Sequence, residues 1–86
     1  MEEVYGMFNH AIYEKLKEKV KGYVVVKNHI YDNRIAVTIT DFNIMKFSYM
    51  IEDIEQYVLY GNFDADKITD QIVNKYRRHI LSYYLN

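Results

Sequence analysis

The chain contains no cysteine, which excludes disulfide staples, thiolate metal ligands and a cysteine nucleophile. Proline and tryptophan are absent as well, and only three glycines occur, at Gly6, Gly22 and Gly61. Glycines so far apart build no phosphate-cradling loop, and no proline-rich linker divides the chain. No apolar run approaches the roughly 20 residues of a membrane-spanning helix. The first residues include Glu2 and Glu3, where a signal peptide would be basic. A cytoplasmic protein without membrane contact is therefore expected. An excess of one charge is missing too, with 11 Lys+Arg against 12 Asp+Glu and a formal net charge of −1. Nonspecific nucleic-acid binders carry a basic surplus, and charge mimics of nucleic acid carry an acidic one. Neither applies to the chain as a whole.

What is present suffices for one domain. At 86 residues the chain lies near the lower end of sizes that fold without covalent or metal staples. Half the residues are apolar and 16% are aromatic, enough to fill a core. Ten of the aromatics are tyrosines, whose amphipathic rings suit the edge of a core with the hydroxyl in water.

The organising segment runs from Arg34 to Thr40. Ile35, Val37 and Ile39 alternate with Arg34, Ala36, Thr38 and Thr40, the period of a half-buried strand. Tyr23–Tyr31 reads as a preceding strand, joined through a two-residue Asp32-Asn33 turn, since Asp and Asn tolerate positive φ. That turn would set Ile30 opposite Ile35, Asn28 opposite Val37 and Val26 opposite Ile39. Asp41 to Ile44 then turns the chain into a third alternating strand, residues 45–51, with Phe47 opposite Val37. Tyr31 and Arg34 would face each other across the first turn.

Helices flank this meander. Residues 2–21 carry an apolar stripe of Val4, Met7, Phe8, Ala11, Ile12, Leu16 and Val20, with Gly22 as a stop. A short helix over 52–60 would bury Ile54 and Val58 and end at Gly61. Asp64 caps a final helix to about Leu85, whose stripe is Ile68, Ile72, Tyr76, Ile80 and Tyr83. The expected fold is a single α+β domain, residues 1–86, in the order α-β-β-β-α-α. Its three-stranded antiparallel meander, order 1-2-3, is covered on one face by helices.

Candidate chemistry is sparse. His10, His29 and His79 have no pair spacing that brings two imidazoles to one metal. Glu52, Asp53 and Glu55 form one acidic cluster, and Asp64, Asp66 and Asp70 another. Both fall at helix starts, where the dipole already favours anions. No serine has a nucleophile-elbow context. No catalytic residue, metal site or cofactor is expected, and the reading is non-enzymatic. Lys75, Arg77, Arg78 and His79 make the densest basic stretch, a secondary patch near a helix C-terminus.

The outer face of the sheet is the candidate contact surface. It would show Tyr23, Val25, Lys27, His29 and Tyr31 from strand 1, Arg34, Ala36 and Thr38 from strand 2, and Lys46, Ser48 and Met50 from strand 3. Tyr23, His29, Tyr31, Arg34, Lys46 and Met50 are the candidate partner-binding residues, since aromatics and arginine are common interface anchors.

The α-β-β-β-α order resembles the double-stranded-RNA-binding domain. That family places lysines at the start of the helix after strand 3, where this chain has Glu52, Asp53 and Glu55. In length, in Ile, Asn, Lys, Asp and Tyr content, and in segments such as 31–37 and 70–78, it also resembles small orphan proteins of phages and mobile elements in low-GC Gram-positive bacteria. Some anti-CRISPR proteins share the layout. That resemblance implies a protein-binding module acting on a host protein. A second copy of the chain is another candidate partner, and a nucleic-acid-binding domain using the open sheet face and the basic final helix is the alternative.

Overall fold

The structure, a computed structural model, describes residues 2–41 and 45–85. Its elements are α1 (Glu2–Lys19), β1 (Tyr23–His29), β2 (Arg34–Thr40), β3 (Lys46–Ile51), α2 (Ile54–Tyr60) and α3 (Ala65–Leu85). The strands form one antiparallel sheet in the order β1-β2-β3. Helix α1 packs on β1 and along α3, and α3 leans on β3, so both long helices cover the same sheet face. Among the described residues no helix is long and apolar enough to cross a membrane. The expected α+β meander is the observed one.

The alternation in β2 decides which face is covered. Ile35, Val37 and Ile39 are each 0% exposed, while the residues between them are only half-buried. Burying each such side chain is worth roughly 1.5–3 kcal/mol. Phe47 and Ile72 join them in one core with Ile12, Leu16, Ile54 and Tyr76.

Register differs from the sequence expectation at both turns. Val26 faces Val37 rather than Ile39, and Asn28 faces Ile35 rather than Val37. Phe47 faces Ile39 rather than Val37. The first turn is wider than a two-residue loop. Ile30–Asp32 forms a short 3-10 helix, closed by Asn33 in the left-handed region (φ 58°), whose N–H donates to Ile30 O at 3.2 Å. Both slips are two positions long, so every side chain keeps its face. Asn28 is consequently exposed at the sheet's end, where Asn9 Nδ2 donates to its Oδ1 and to Val26 O, each at 2.9 Å. Asp41 and Met45 close the second connection, with the Asp41 N–H on Met45 O at 3.0 Å. The turn expected over Asp41–Ile44 otherwise lies outside the described residues.

The helices depart from expectation in detail. Tyr5, absent from the expected stripe of α1, is buried, while Met7 is exposed. Helix α1 ends at Lys19, and Gly22 is not left-handed. Its role is close approach, because a Cβ there would lie 2.8 Å from Thr40 O and 3.1 Å from Ile39 Cγ2. Gly61, at φ 61°, does end α2 in the left-handed conformation. In α2 the inward residues are Ile54 and Tyr57, and Val58 is exposed. Tyr57 is drawn in by Phe63, which it meets edge-on at 5.5 Å, while Phe63 stacks on Phe8 of α1 at 3.7 Å. In α3, Ile68, Ile72 and Tyr76 are buried together with Thr69 and Val73, but Tyr83 is exposed. A helix of 21 residues is about 31 Å long, longer than a seven-residue strand of about 23 Å. Its last turns outrun the sheet.

Ion pairs join the two long helices. Lys15 Nζ lies 2.6 Å from Asp66 Oδ1 and Lys19 Nζ 2.7 Å from Asp70 Oδ1. The hydrogen bond and charge of Lys15 hold the Asp66 carboxyl below its ordinary 3.8. A depressed carboxyl stabilises the fold fully above its unfolded value and loses that contribution as pH falls through the lower folded one. The pair is solvated, so the effect is small and screened by salt.

Three outcomes are expected. Val37→Asp should abolish cooperative unfolding, because an unpaired buried carboxylate costs several kcal/mol against a total of about 5–15 kcal/mol; circular dichroism melts would check it. Gly22→Ala should cost about 1–3 kcal/mol in denaturant titration, since the added methyl meets a backbone carbonyl that cannot rotate away. Tyr5→Phe should melt at or above the wild-type temperature. The Tyr5 hydroxyl is buried without a hydrogen-bond partner among the described residues, so its removal relieves a desolvation cost of about 1–3 kcal/mol.

Candidate functional site

Alternation on the strands places the candidate residues on the outer face. With Ile35, Val37 and Ile39 turned inward, the opposite side shows Tyr23, Val25, Lys27 and His29 from β1, Arg34, Ala36, Thr38 and Thr40 from β2, and Lys46, Ser48 and Met50 from β3. Tyr23 is 74% exposed and Met50 40% exposed. Neither long helix reaches this side, since both pack on the inner one.

Five of the six candidate contact residues share this face. His29 and Arg34 form its end pair, Tyr23 and Lys46 flank Thr40 at the other end, and Met50 lies across Ala36 from Lys27. Tyr31 does not join them. It lies in the 3-10 turn, fully exposed, and Arg34 pairs with His29 rather than with Tyr31. The wider turn removes Tyr31 from the strand. Arg34 is partly covered, its Nε 3.8 Å from Glu52 Oε2 and without a hydrogen-bond partner among the described residues.

The acidic cluster at the start of α3 has structural partners. Asp64 caps α3, accepting the Lys67 N–H at 3.1 Å, while Asp66 and Asp70 pair with Lys15 and Lys19 of α1. At the start of α2 the expected dipole role is only part of the account. Asp53 is left-handed at φ 55° and makes no side-chain cap. The cap comes from Asn33, whose Oδ1 accepts the Glu55 N–H at 2.8 Å and whose carbonyl accepts the Ile54 N–H at 3.2 Å. The sequence pattern places Asn33 in the turn alone. The left-handed tendency of asparagine pointed to that turn, but nothing local pointed to a helix more than twenty residues away.

The histidines stay apart in role. His79 lies against Phe47, ring centroids 5.5 Å apart, while His10 on α1 and His29 on β1 are exposed. Among the described residues no three His, Asp or Glu side chains could hold a metal ion together. Lys75 of the basic patch sits 5.2 Å over the Tyr49 ring, where the cation meets the ring's negative face. Arg77 and Arg78 are exposed.

The outer sheet face is thus the surface on which candidate residues converge. Compared with known proteins, the chain matches no family model, no curated protein sequence and no solved structure.

Proposed function

We propose that this chain is a non-enzymatic protein-binding module that acts by occupying a surface on another protein, in the manner of the small phage and mobile-element proteins it resembles. One observation carries the reading: the sheet's outer face holds Tyr23, Val25 and Met50 where, among the described residues, no helix covers them. Helices α1 and α3 need only the inner face to complete the core, so these side chains have no packing role. Large, amphipathic or flexible apolar side chains at a solvent face are the usual material of an interface. Of the two acidic clusters, the one at the start of α3 is engaged, Asp64 in a cap and Asp66 and Asp70 in ion pairs.

A nucleic-acid reading draws on Arg77 and Arg78, which are exposed on α3 and make no ion pair among the described residues. Salt separates the two. Binding through phosphates weakens steeply as ionic strength rises, and burial of apolar surface does not.

The test is partner capture by tagged wild type and by Tyr23→Ala/Met50→Ala, each at low and high salt. The exposed double variant should melt within about 0.5 kcal/mol of wild type. It should lose a protein that wild type retains at both salt concentrations. Capture unchanged by the double substitution would mean that this face is only a solvated surface.

A further inference from the structure

The chemistry of the open face narrows what it can receive; this rests on the reading of that face as the contact surface. Its side chains stand in rows across the strands: Tyr23, Thr40 and Lys46; then Val25, Thr38 and Ser48; then Lys27, Ala36 and Met50; then His29 and Arg34. The middle of each of the first three rows is a short side chain, because β2 supplies Ala36, Thr38 and Thr40. These form the floor of a shallow cavity of ≈ 350 Å³, walled by Tyr23, Val25 and Lys27 on one side and by Lys46 on the other. Neighbouring strands lie about 4.8 Å apart. The backbones of β1 and β3 are therefore about 10 Å apart, so a helix resting along β2, about 10–12 Å across with its side chains, spans from the β1 wall to the β3 wall.

The charges on this face have one sign. Lys27, Arg34 and Lys46 point outward from it, and its strands contribute no carboxylate there. Arg34 has Glu52 nearby at 3.8 Å, but the side chains of Lys27 and Lys46 make no ion pair or hydrogen bond among the described residues. The lysines of α1 contrast with them, since Lys15, Lys17 and Lys19 each hold a carboxylate. A chain of net charge −1 thus keeps two uncompensated cations diagonally across an apolar trough. Two copies pairing through this face would oppose like charges, which is unfavourable. A nucleic-acid strand needs a continuous cationic track and successive aromatic platforms. Here the lysines stand on opposite walls, and Tyr23, at a corner, is the face's one strand aromatic.

We infer that the open sheet face receives an acidic amphipathic helix of a partner protein. Its apolar stripe lies along β2 against Val25, Ala36 and Met50, and its carboxylates reach Lys27 on one wall and Lys46 on the other.

A displayed library of helical peptides, randomised on all faces, tests this by selection on the wild-type protein. Selected peptides are then measured against Lys27→Glu/Lys46→Glu and against the milder Lys27→Gln/Lys46→Gln, with an oligothymidine strand as the nucleic-acid probe. Melting temperature confirms that both exposed variants remain folded. The expected peptides carry an apolar stripe flanked by Asp and Glu and shift the amide resonances of Val25, Ala36 and Thr38. Their binding should fall about tenfold or more on charge reversal and less on neutralisation. Peptides that shift the same resonances, lack acidic residues and bind the reversed variant equally would overturn the acidic partner and leave the contact surface standing. No enrichment, or shifts confined to other residues, would overturn both. Oligothymidine bound to this face in place of peptide, with steep salt dependence, would overturn the inference in favour of nucleic acid.

Discussion

Ile35, Val37 and Ile39 are sealed from water, and a strand that seals one set of side chains must turn the other set outward. The rest of the structure follows from that one-sided burial. A chain of 86 residues without cysteine gains its stability from packing, so both long helices gather on the side where β2 is greasy. Val24 and Met45 extend the buried layer around β2, as Phe47 and Ile51 do from β3. The path out of α1 is constrained as tightly, since Gly22 must pass against the Thr40 carbonyl with no side chain between them.

Polar groups then lock the elements in relation to one another. Asn33 is the densest such point: left-handed in the turn, it closes the 3-10 helix with its N–H and caps α2 with its side chain and carbonyl. The hairpin and the helix after β3 therefore share one residue. Asn9 does comparable work for α1, donating to the β1 carbonyl at Val26 and to Asn28. The ring stack of Phe8 and Phe63, with Tyr57 edge-on, holds the segment before α3 against α1. Lys15 with Asp66 and Lys19 with Asp70 run between the helices at the surface, where they orient more than they stabilise.

This distribution of partners is what sets the outer sheet face apart. Between the two long helices, Lys15 and Lys19 meet Asp66 and Asp70, and Phe47, Tyr57, Phe63 and Tyr76 near the core meet other rings. On the open side, Lys27 and Lys46 stand without counter-charges and Tyr23 and Met50 without cover. Packing explains the first surface. The second is consistent with the proposed protein contact, for which unpaired cations and exposed apolar side chains supply steering and area.

The α-β-β-β-α-α order, the facing of all three strands, Gly61 as the end of α2 and Asp64 as the cap of α3 were legible in the sequence, because each depends on local periodicity or a single residue's conformational preference. Alternation has period two, however, and reports which face a side chain takes but not how far along its partner strand it lies. A slip of two residues leaves every face unchanged, so only the three-dimensional turn, with Ile30–Asp32 coiled and Asn33 left-handed, could set Val26 against Val37 and move Tyr31 off the sheet. The same limit applies to the helices. Tyr5 is inside, Val58 outside and Tyr83 past the end of the sheet because of what lies opposite each of them, which the pattern along one helix does not contain. Local chemistry determined the elements and their faces; the contacts between distant elements decided register, the capping of α2 by Asn33, and which cations remained unpaired on the open face.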